Sequence, residues 1–151
     1  MADSNSLLQL RDKVQRHLTD EFGSVSVNSD GVFRINAEST AAFISCSDWG
    51  DDGETVVRIY SPVLFDFDLT PEVFEYVARE NDYTFGSLGL LTGEDDTSPI
   101  LEFRHTLLGN FLDPQELINA TVMVGATANR LDDELRARFG GKRFADLQTG
   151  D

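Results

Sequence analysis

The stretch LDPQELINATVMVGATANRLDDELRARFGG, residues 112–141, contains the most complete helix signals in the chain. Asp113 is placed to cap a helix whose first residue is Pro114, and Glu116 at the third position completes a capping box. The residues of one helix face then recur at spacings of three and four: Leu117, Thr121, Val124, Ala128, Leu131 and Leu135. Gly140 and Gly141 end the pattern.

This helix is long, and its slender middle is a segment of small side chains. About 26 residues at 1.5 Å each span roughly 39 Å, which is enough to lie across a whole sheet. Gly125, Ala126 and Ala128 leave little side chain at its centre. We therefore expect another backbone to approach the helix closely there.

The preceding sequence predicts further helices and strands that together make an α+β domain. SNSLLQLRDKVQRHLTDEFG, residues 4–23, has the apolar spacing of an amphipathic helix that ends at Gly23. A period of two then predicts four successive antiparallel strands up to Phe65, with Pro62 marking a bend or a strand end. In LTPEVFEYVAREN, residues 69–81, Pro71 occupies the first position of a short helix.

The stretch LTGEDDTSPILEFRHTLLG, residues 91–109, combines three acids, an arginine and a histidine, so it could form either a small active site or a hairpin. Alternation favours the hairpin, because it places His105 on the same strand face as three apolar residues and Arg104 on the other face. The segment GEDDTSP is then the turn between two strands. The predicted order is helix, four strands, short helix, two strands and long helix.

Composition limits the class of protein. The 151 residues, 40% of them hydrophobic, suffice for one domain, which we expect over residues 1–145 with a frayed tail at 146–151. Twelve basic and 27 acidic residues give a net charge of -15, which disfavours nucleic acid and anionic membranes as partners. No apolar run approaches the roughly 20 residues of a membrane helix. With Cys46 as its single cysteine and no secretory signal pattern, we expect the protein in the cytoplasm.

Candidate catalytic and metal-binding residues are few. His17 lies at the edge of the first helix's apolar stripe, and neither it nor His105 belongs to a recognisable catalytic signature. Cys46 has no companion for a zinc site or redox pair and reads as a small buried hydrophobe. The acidic loop SDWGDDGE, residues 47–54, offers oxygens but lacks the ligand spacing of a calcium-binding EF-hand loop. The sequence therefore predicts no catalytic residue, metal or cofactor.

Aromatic side chains in predicted loops and strand ends are the strongest candidates for a binding role. Trp49 lies among acids, and Phe65 and Phe67 alternate with Asp66 and Asp68. Phe65 and Phe67 could be the end of a strand with one face in the core. Alternatively, all three aromatics could contact a partner, because large rigid side chains anchor many interfaces and charged neighbours keep such a patch soluble.

The element order, together with local sequence, resembles the type III secretion chaperone-like superfamily. SPVLFDFDLTPEVFEYVAREND, FGSLGLL, ILEFRHTLLG and the long-helix stretch are similar to its YbjN-like branch, especially the actinobacterial members. The resemblance covers about Val25 to Phe144, and its motifs are structural: Asn81 after the short helix, Gly86 before the next strand, and the helix-opening LDP. It implies a twisted antiparallel sheet covered by helices, and a small, acidic, dimeric binding protein without catalytic residues.

Three hypotheses about function follow. The first is a non-enzymatic chaperone or adaptor, a homodimer that holds a protein or peptide client on apolar patches, with Trp49, Phe65 and Phe67 as contacts. The second is a regulatory or scaffold protein that only dimerises or docks on a folded partner. The third is an enzyme or small-ligand-binding domain that uses His105, Arg104 and the acidic turn Glu94 to Asp96.

Overall fold

A computed structural model describes residues 3–149 and contains one antiparallel sheet and four helices in that range. The elements, in chain order, are α1 (Asn5–Phe22), β1 (Ser26–Val27), β2 (Phe33–Ala37), β3 (Thr40–Trp49), β4 (Glu54–Phe65), α2 (Pro71–Arg79), β5 (Ser87–Leu91), β6 (Ile100–Leu108), α3 (Pro114–Phe139) and α4 (Phe144–Thr149). The predicted α+β class and the predicted order as far as α3 are confirmed.

The six strands form a single sheet in the order β1-β2-β3-β4-β6-β5, and every neighbouring pair is antiparallel. A bulge between Pro62 and Leu64 confirms the bend predicted in β4. The stretch 91–109 forms a hairpin between β5 and β6, as alternation predicted, and a short 3₁₀ turn at Glu94–Asp96 lies between the strands.

Helices α1 and α3 cover one face of the sheet, which we call the inner face. The Asp113 carboxylate accepts hydrogen bonds from the backbone N–H groups of Gln115 (2.8 Å) and Glu116 (3.3 Å), so the predicted cap of α3 is present. The predicted helical stripe is buried, together with Leu7, Leu10, Val14 and Leu18 of α1. Burial of these two stripes against the inner face forms the core.

Helix α3 meets the sheet most closely where its side chains are smallest. A Cβ built on Gly125 would lie 3.0 Å from the Cβ of Ala37 and 3.8 Å from that of Ala42. Ala128 is fully buried one turn further along the helix. The close approach predicted for the slender middle of this helix is therefore present.

The opposite face of the sheet, the outer face, is covered at one end by the short helix α4. Phe144 packs edge-on against Phe43 with ring centroids 5.9 Å apart, and the Arg34 guanidinium lies 5.1 Å from the Phe144 ring centre. Hydrogen bonds from Arg143, with a further one from Arg136, hold the pKa of the Asp146 carboxyl well below its usual range. Residues 146–149 thus belong to an anchored helix where a frayed tail was predicted; residues 150–151 lie outside the described part.

Asp132 of α3 is a fully buried carboxylate. One of its oxygens accepts a hydrogen bond from the Ser39 hydroxyl, and the other, Oδ1, has no hydrogen-bond partner within residues 3–149. Burial raises the pKa of Asp132, and the charge of Asp133 adds to this shift. The Ser39 hydrogen bond, the backbone of Asp133 and the charge of Arg143 oppose it without cancelling it. The ionised form of Asp132 therefore destabilises the folded state.

The substitution Ala128→Leu tests the close contact between α3 and the sheet. We expect overpacking to lower the free energy of unfolding by about 1 to 3 kcal/mol, measured by urea denaturation. Ala126→Leu is the matched control, because Ala126 is exposed on the same helix, and it should leave stability nearly unchanged. Equal stability of the two variants would contradict the packing described here.

The substitution Asp132→Asn tests the buried carboxylate, since an amide oxygen can still accept the Ser39 hydrogen bond. Because the pKa of Asp132 is higher in the folded than in the unfolded state, its ionisation destabilises the folded protein. This destabilisation is complete above the folded-state pKa and absent below the unfolded-state pKa. We therefore expect the variant to be at least as stable as wild type at pH 7, with the difference shrinking as pH falls through the folded-state pKa of Asp132. Urea denaturation across that pH range measures the difference, and one that grows at low pH would contradict the assignment.

Candidate functional site

The aromatic residues proposed from the sequence as partner contacts lie in three different environments. Trp49 is 51% exposed at the end of β3. Phe65 is half-buried with its ring centroid 6.5 Å from that of Phe144, and its backbone pairs with Lys142. Phe67 is only 4% exposed and belongs to the core.

Phe65 and Phe67 therefore do not form one exposed patch. The burial of Phe67 corrects the expectation that this residue contacts a partner, whereas Phe65 is partly exposed. Asp66 between them has a φ of +53°, so the chain leaves the extended conformation there and strand alternation ends. Phe67 consequently turns into the core, as the strand-end interpretation proposed. Trp49 is the most exposed of the three.

The residues considered for catalysis do not converge on one site. Arg104 and His105 lie on opposite faces of β6, as alternation predicted, with Arg104 opposite Tyr60 and His105 opposite Ile59. Burial raises the pKa of the Cys46 thiol to about 11, so this thiol stays protonated near neutral pH. Within residues 3–149, no three His, Cys, Asp or Glu side chains are grouped closely enough to hold a metal ion. That same part of the chain contains no helix long and apolar enough to cross a membrane.

The end of β6 has no strand partner on the side of β5. Strand β5 pairs with β6 only from Ile100 to Arg104, and among residues 3–149 no strand continues the ladder beside His105–Leu108 on that side. The N–H of Gly109 donates to the Thr55 carbonyl of β4 at 2.7 Å. Because backbone polar groups alternate in an antiparallel strand, those of Thr106 and Leu108 point away from β4. We call the unpaired segment Thr106–Leu108 the edge gap.

Two residues that carried the family resemblance explain why β5 starts where it does. Asn81 donates to the Leu88 carbonyl and accepts from the Leu88 N–H, both at 2.7 Å, which ties the end of α2 to β5. Gly86 has a φ of +81°, and a Cβ there would lie 2.7 Å from the Phe103 ring. A side chain does not fit at this position, and glycine adopts the positive φ without strain. The chain therefore changes direction at Gly86, and the residues before it do not extend β5 along β6.

An apolar groove borders the edge gap on the inner face. It encloses about 690 Å³ between α3, β6 and the loop before β5. The residues by which we define this apolar groove are Phe85, His105, Leu107, Ile118, Val122 and Met123. Polar side chains also line it: Glu21, Gln115, Glu116 and Asn119. Phe85, Val122 and Met123 are each about half exposed, at 55%, 49% and 45%. Large apolar side chains that remain exposed around a concave surface are typical of a binding site.

A smaller cleft borders the edge gap on the outer face. It encloses about 350 Å³, and we call it the basic cleft after its two arginines, Arg58 and Arg104, which lie there with Ser87 and Thr106. Glu102 forms an ion pair with Arg104 at 3.5 Å. Burial raises the pKa of Glu102, and Arg104 and Arg58 oppose that shift. The two sides of the edge gap therefore differ in chemistry.

A third surface lies at one end of the sheet, where β3 and β6 end and β4 begins. Trp49, Leu108 and Phe111 are 51%, 54% and 80% exposed, and we call these three residues the end patch. The side chain of Asn110 holds this end together through hydrogen bonds to the backbones of Thr55 and Gly53. Phe111 is the most exposed large hydrophobic residue among residues 3–149.

Sequence reasoning missed the apolar groove and the edge gap. Val122 and Met123 belong to the long helix but lie outside its buried stripe, and that departure from the stripe was the available signal. The groove also depends on Phe85, which meets His105 edge-on with ring centroids 6.3 Å apart. No local pattern shows that contact in advance.

An antiparallel sheet with helices on one face and a long C-terminal helix is the fold of a type III secretion chaperone. The crystal structure of Yersinia pestis SycH, a type III secretion chaperone solved in complex with a stable fragment of YscM2, matches with a TM-score of 0.52. The match covers 80% of this chain and 98% of SycH, and the two chains are 9% identical, so the likeness is one of fold. None of the curated protein sequences compared with this chain matches it.

The family is given by a second comparison. Residues 8–147 match the model of the family described as T3SS (YopN, CesT) and YbjN peptide-binding chaperone 1. The protein belongs to this family. The resemblance recognised from Asn81, Gly86 and the helix-opening LDP is confirmed.

Proposed function

We propose that this protein is a non-enzymatic chaperone or adaptor that holds an extended segment of a protein client in the apolar groove and along the edge gap. The observation that carries the proposal is the position of an unpaired strand edge beside an exposed apolar groove. An added strand would gain backbone hydrogen bonds from the edge, and alternate side chains would enter the groove. Membership of a peptide-binding chaperone family and the SycH complex with a YscM2 fragment support a protein client.

The edge gap can provide backbone pairing without a particular client sequence. Thr106 and Leu108 are exposed, and each has an N–H and a carbonyl directed away from β4. Leu107, between them, lies on the inner face and lines the apolar groove. A client strand beside this segment therefore binds through its backbone and buries every second side chain.

The mechanism requires no chemical step. Its free energy comes from burial of client side chains against Phe85, Val122 and Met123 and from completion of the β6 ladder. The client is released by dissociation, and neither a cofactor nor turnover is involved. This proposal replaces Phe65 and Phe67 with groove residues as client contacts.

The substitution Val122→Asp tests the groove. Loss of apolar burial of about 1.5 kcal/mol, together with a buried charge, should weaken binding of extended apolar peptides at least about tenfold in fluorescence anisotropy. Val27→Asp is the matched control, because Val27 is also exposed (45%) and lies on β1 at the far edge of the sheet. Circular dichroism should be unchanged in both variants. Equal peptide affinity of wild type and Val122→Asp would refute the groove as the client site.

We further propose that the end patch is where two copies of the chain meet. The family resemblance implies dimers, and clusters of exposed large apolar residues are typical of interfaces. In this arrangement Trp49, which the sequence placed among the client contacts, contacts a second copy of the chain instead. The rival hypothesis, a regulatory or scaffold protein that only dimerises or docks on a folded partner, uses the same patch but has no affinity for extended peptides.

The substitution Phe111→Asp tests the end patch. We expect wild type to have twice the chain mass in light scattering, and we expect the variant to have the mass of a single chain, because a charge replaces an 80% exposed aromatic side chain. Phe74→Asp on α2 is the control, since Phe74 is also exposed (49%), and it should remain dimeric. A wild-type protein that is monomeric at all accessible concentrations would refute the end patch as a dimer interface.

A further inference from the structure

The outer face of the sheet is less acidic than the protein as a whole. The chain has a net charge of -15 and only 12 basic residues. Three of these basic residues lie on the outer face: Arg34 of β2, Arg58 of β4 and Arg104 of β6. The strand register shows this, because it aligns Arg34, Phe43, Tyr60 and Arg104 in one row across the sheet. Arg58 lies two residues from Tyr60 on β4 and so shares its face. Two of the three arginines line the basic cleft beside the edge gap. Positive charge is therefore concentrated next to the proposed client strand.

The two arginines of the basic cleft differ in their partners. Within residues 3–149, Arg104 is paired with Glu102, whereas Arg58 forms no ion pair, although its charge also favours the ionised form of Glu102. Arg58 is exposed, and its strand neighbour on β6 is Thr106, a small residue of the edge gap. The Arg58 side chain can therefore reach across Thr106 toward a strand on the far side.

Small residues leave the basic cleft open. Ser87 and Thr106 line it, and Gly89 of β5 lies beneath the Arg104 guanidinium, where any Cβ would collide with it. The Arg104 guanidinium is thereby directed toward Gly89 and Glu102, away from Thr106. A client carboxylate opposite Thr106 would therefore face the Arg58 guanidinium.

Strand alternation decides which client residue meets which surface. Residues opposite each other in paired strands share a face. The client residue opposite Thr106 therefore lies on the outer face beside Arg58, and the client residues opposite His105 and Leu107 lie on the inner face at the apolar groove. One acid between two apolar residues satisfies all three positions.

We infer that the client segment held at the edge gap carries an Asp or Glu flanked on both sides by large apolar residues, with the carboxylate held by Arg58 in the basic cleft. This inference rests on the proposed function and specifies its client. The acid provides selection, because a lysine at the same position would face the Arg58 guanidinium. It also keeps a hydrophobic client strand from binding in a shifted register, since a shift of one residue would place the acid in the apolar groove.

Short fluorescent peptides that differ at one position test the inference. A central Glu, Gln or Lys is placed between two leucines, and binding to the full chain is measured by anisotropy at low and high salt. We expect the Glu peptide to bind about two- to fivefold more tightly than the Gln peptide, the Lys peptide to bind most weakly, and the differences to shrink at high salt.

Variants of the chain assign the effect to the basic cleft. Arg58→Gln should abolish the preference for Glu over Gln, and Arg58→Glu should reverse it in favour of the Lys peptide. Arg79→Gln is the control, because Arg79 is an exposed arginine of α2 and its loss changes the net charge equally. It should keep the preference of wild type.

Three results would overturn the inference in distinguishable ways. If the three peptides bind with equal affinity and Val122→Asp weakens all of them, the groove binds clients but the basic cleft does not select them. If none of the peptides binds wild type, both the acid preference and the proposed function fail. A Glu preference that Arg58→Gln and Arg79→Gln reduce alike would reflect net charge only and would also overturn the inference.

Discussion

The rest of the structure depends on the contact between the middle of α3 and the sheet. Gly125 lies against Ala37 and Ala42, so the helix and the strands meet through side chains of one carbon or none. This closeness allows one helix of 26 residues to cover the inner faces of β2, β3, β4 and β6. Leu117 and Leu135, both fully buried, fill the space where helix and sheet diverge. Because a single helical layer completes the core, much of the outer face and the sheet edges remain free for other contacts.

The edge gap is a product of local geometry at the start of β5. The Asn81 side chain forms hydrogen bonds with the backbone of Leu88. The positive φ of Gly86 changes the direction of the chain, so the residues before it do not continue the strand. A β5 strand that began four residues earlier would cover Thr106–Leu108 and remove the unpaired edge. Exposed edges favour aggregation, and here the edge is short and bordered by a charged cleft. Both features limit pairing with unselected strands while leaving room for a short client segment.

The sequence predicts the fold well because its signals are local. The caps of α3, the stripe of α1 and the alternation along β6 each depend on neighbouring residues, and all three are present. The site is predicted poorly because it depends on which strands become neighbours. Phe67 turns inward after a left-handed residue, and Arg58 and Thr106 meet only through the register of β4 with β6. Neither outcome follows from composition or periodicity.

Cys46 makes the protein convenient for site-directed labelling. Its thiol is buried and, with a pKa of about 11, holds almost no thiolate near neutral pH, and the thiolate is the form that attacks maleimides. A cysteine introduced at an exposed position can therefore carry a fluorophore or spin label selectively, without prior removal of the native one. In unfolded molecules the Cys46 thiol regains its ordinary reactivity. The rate at which it is modified then reports how often the core opens.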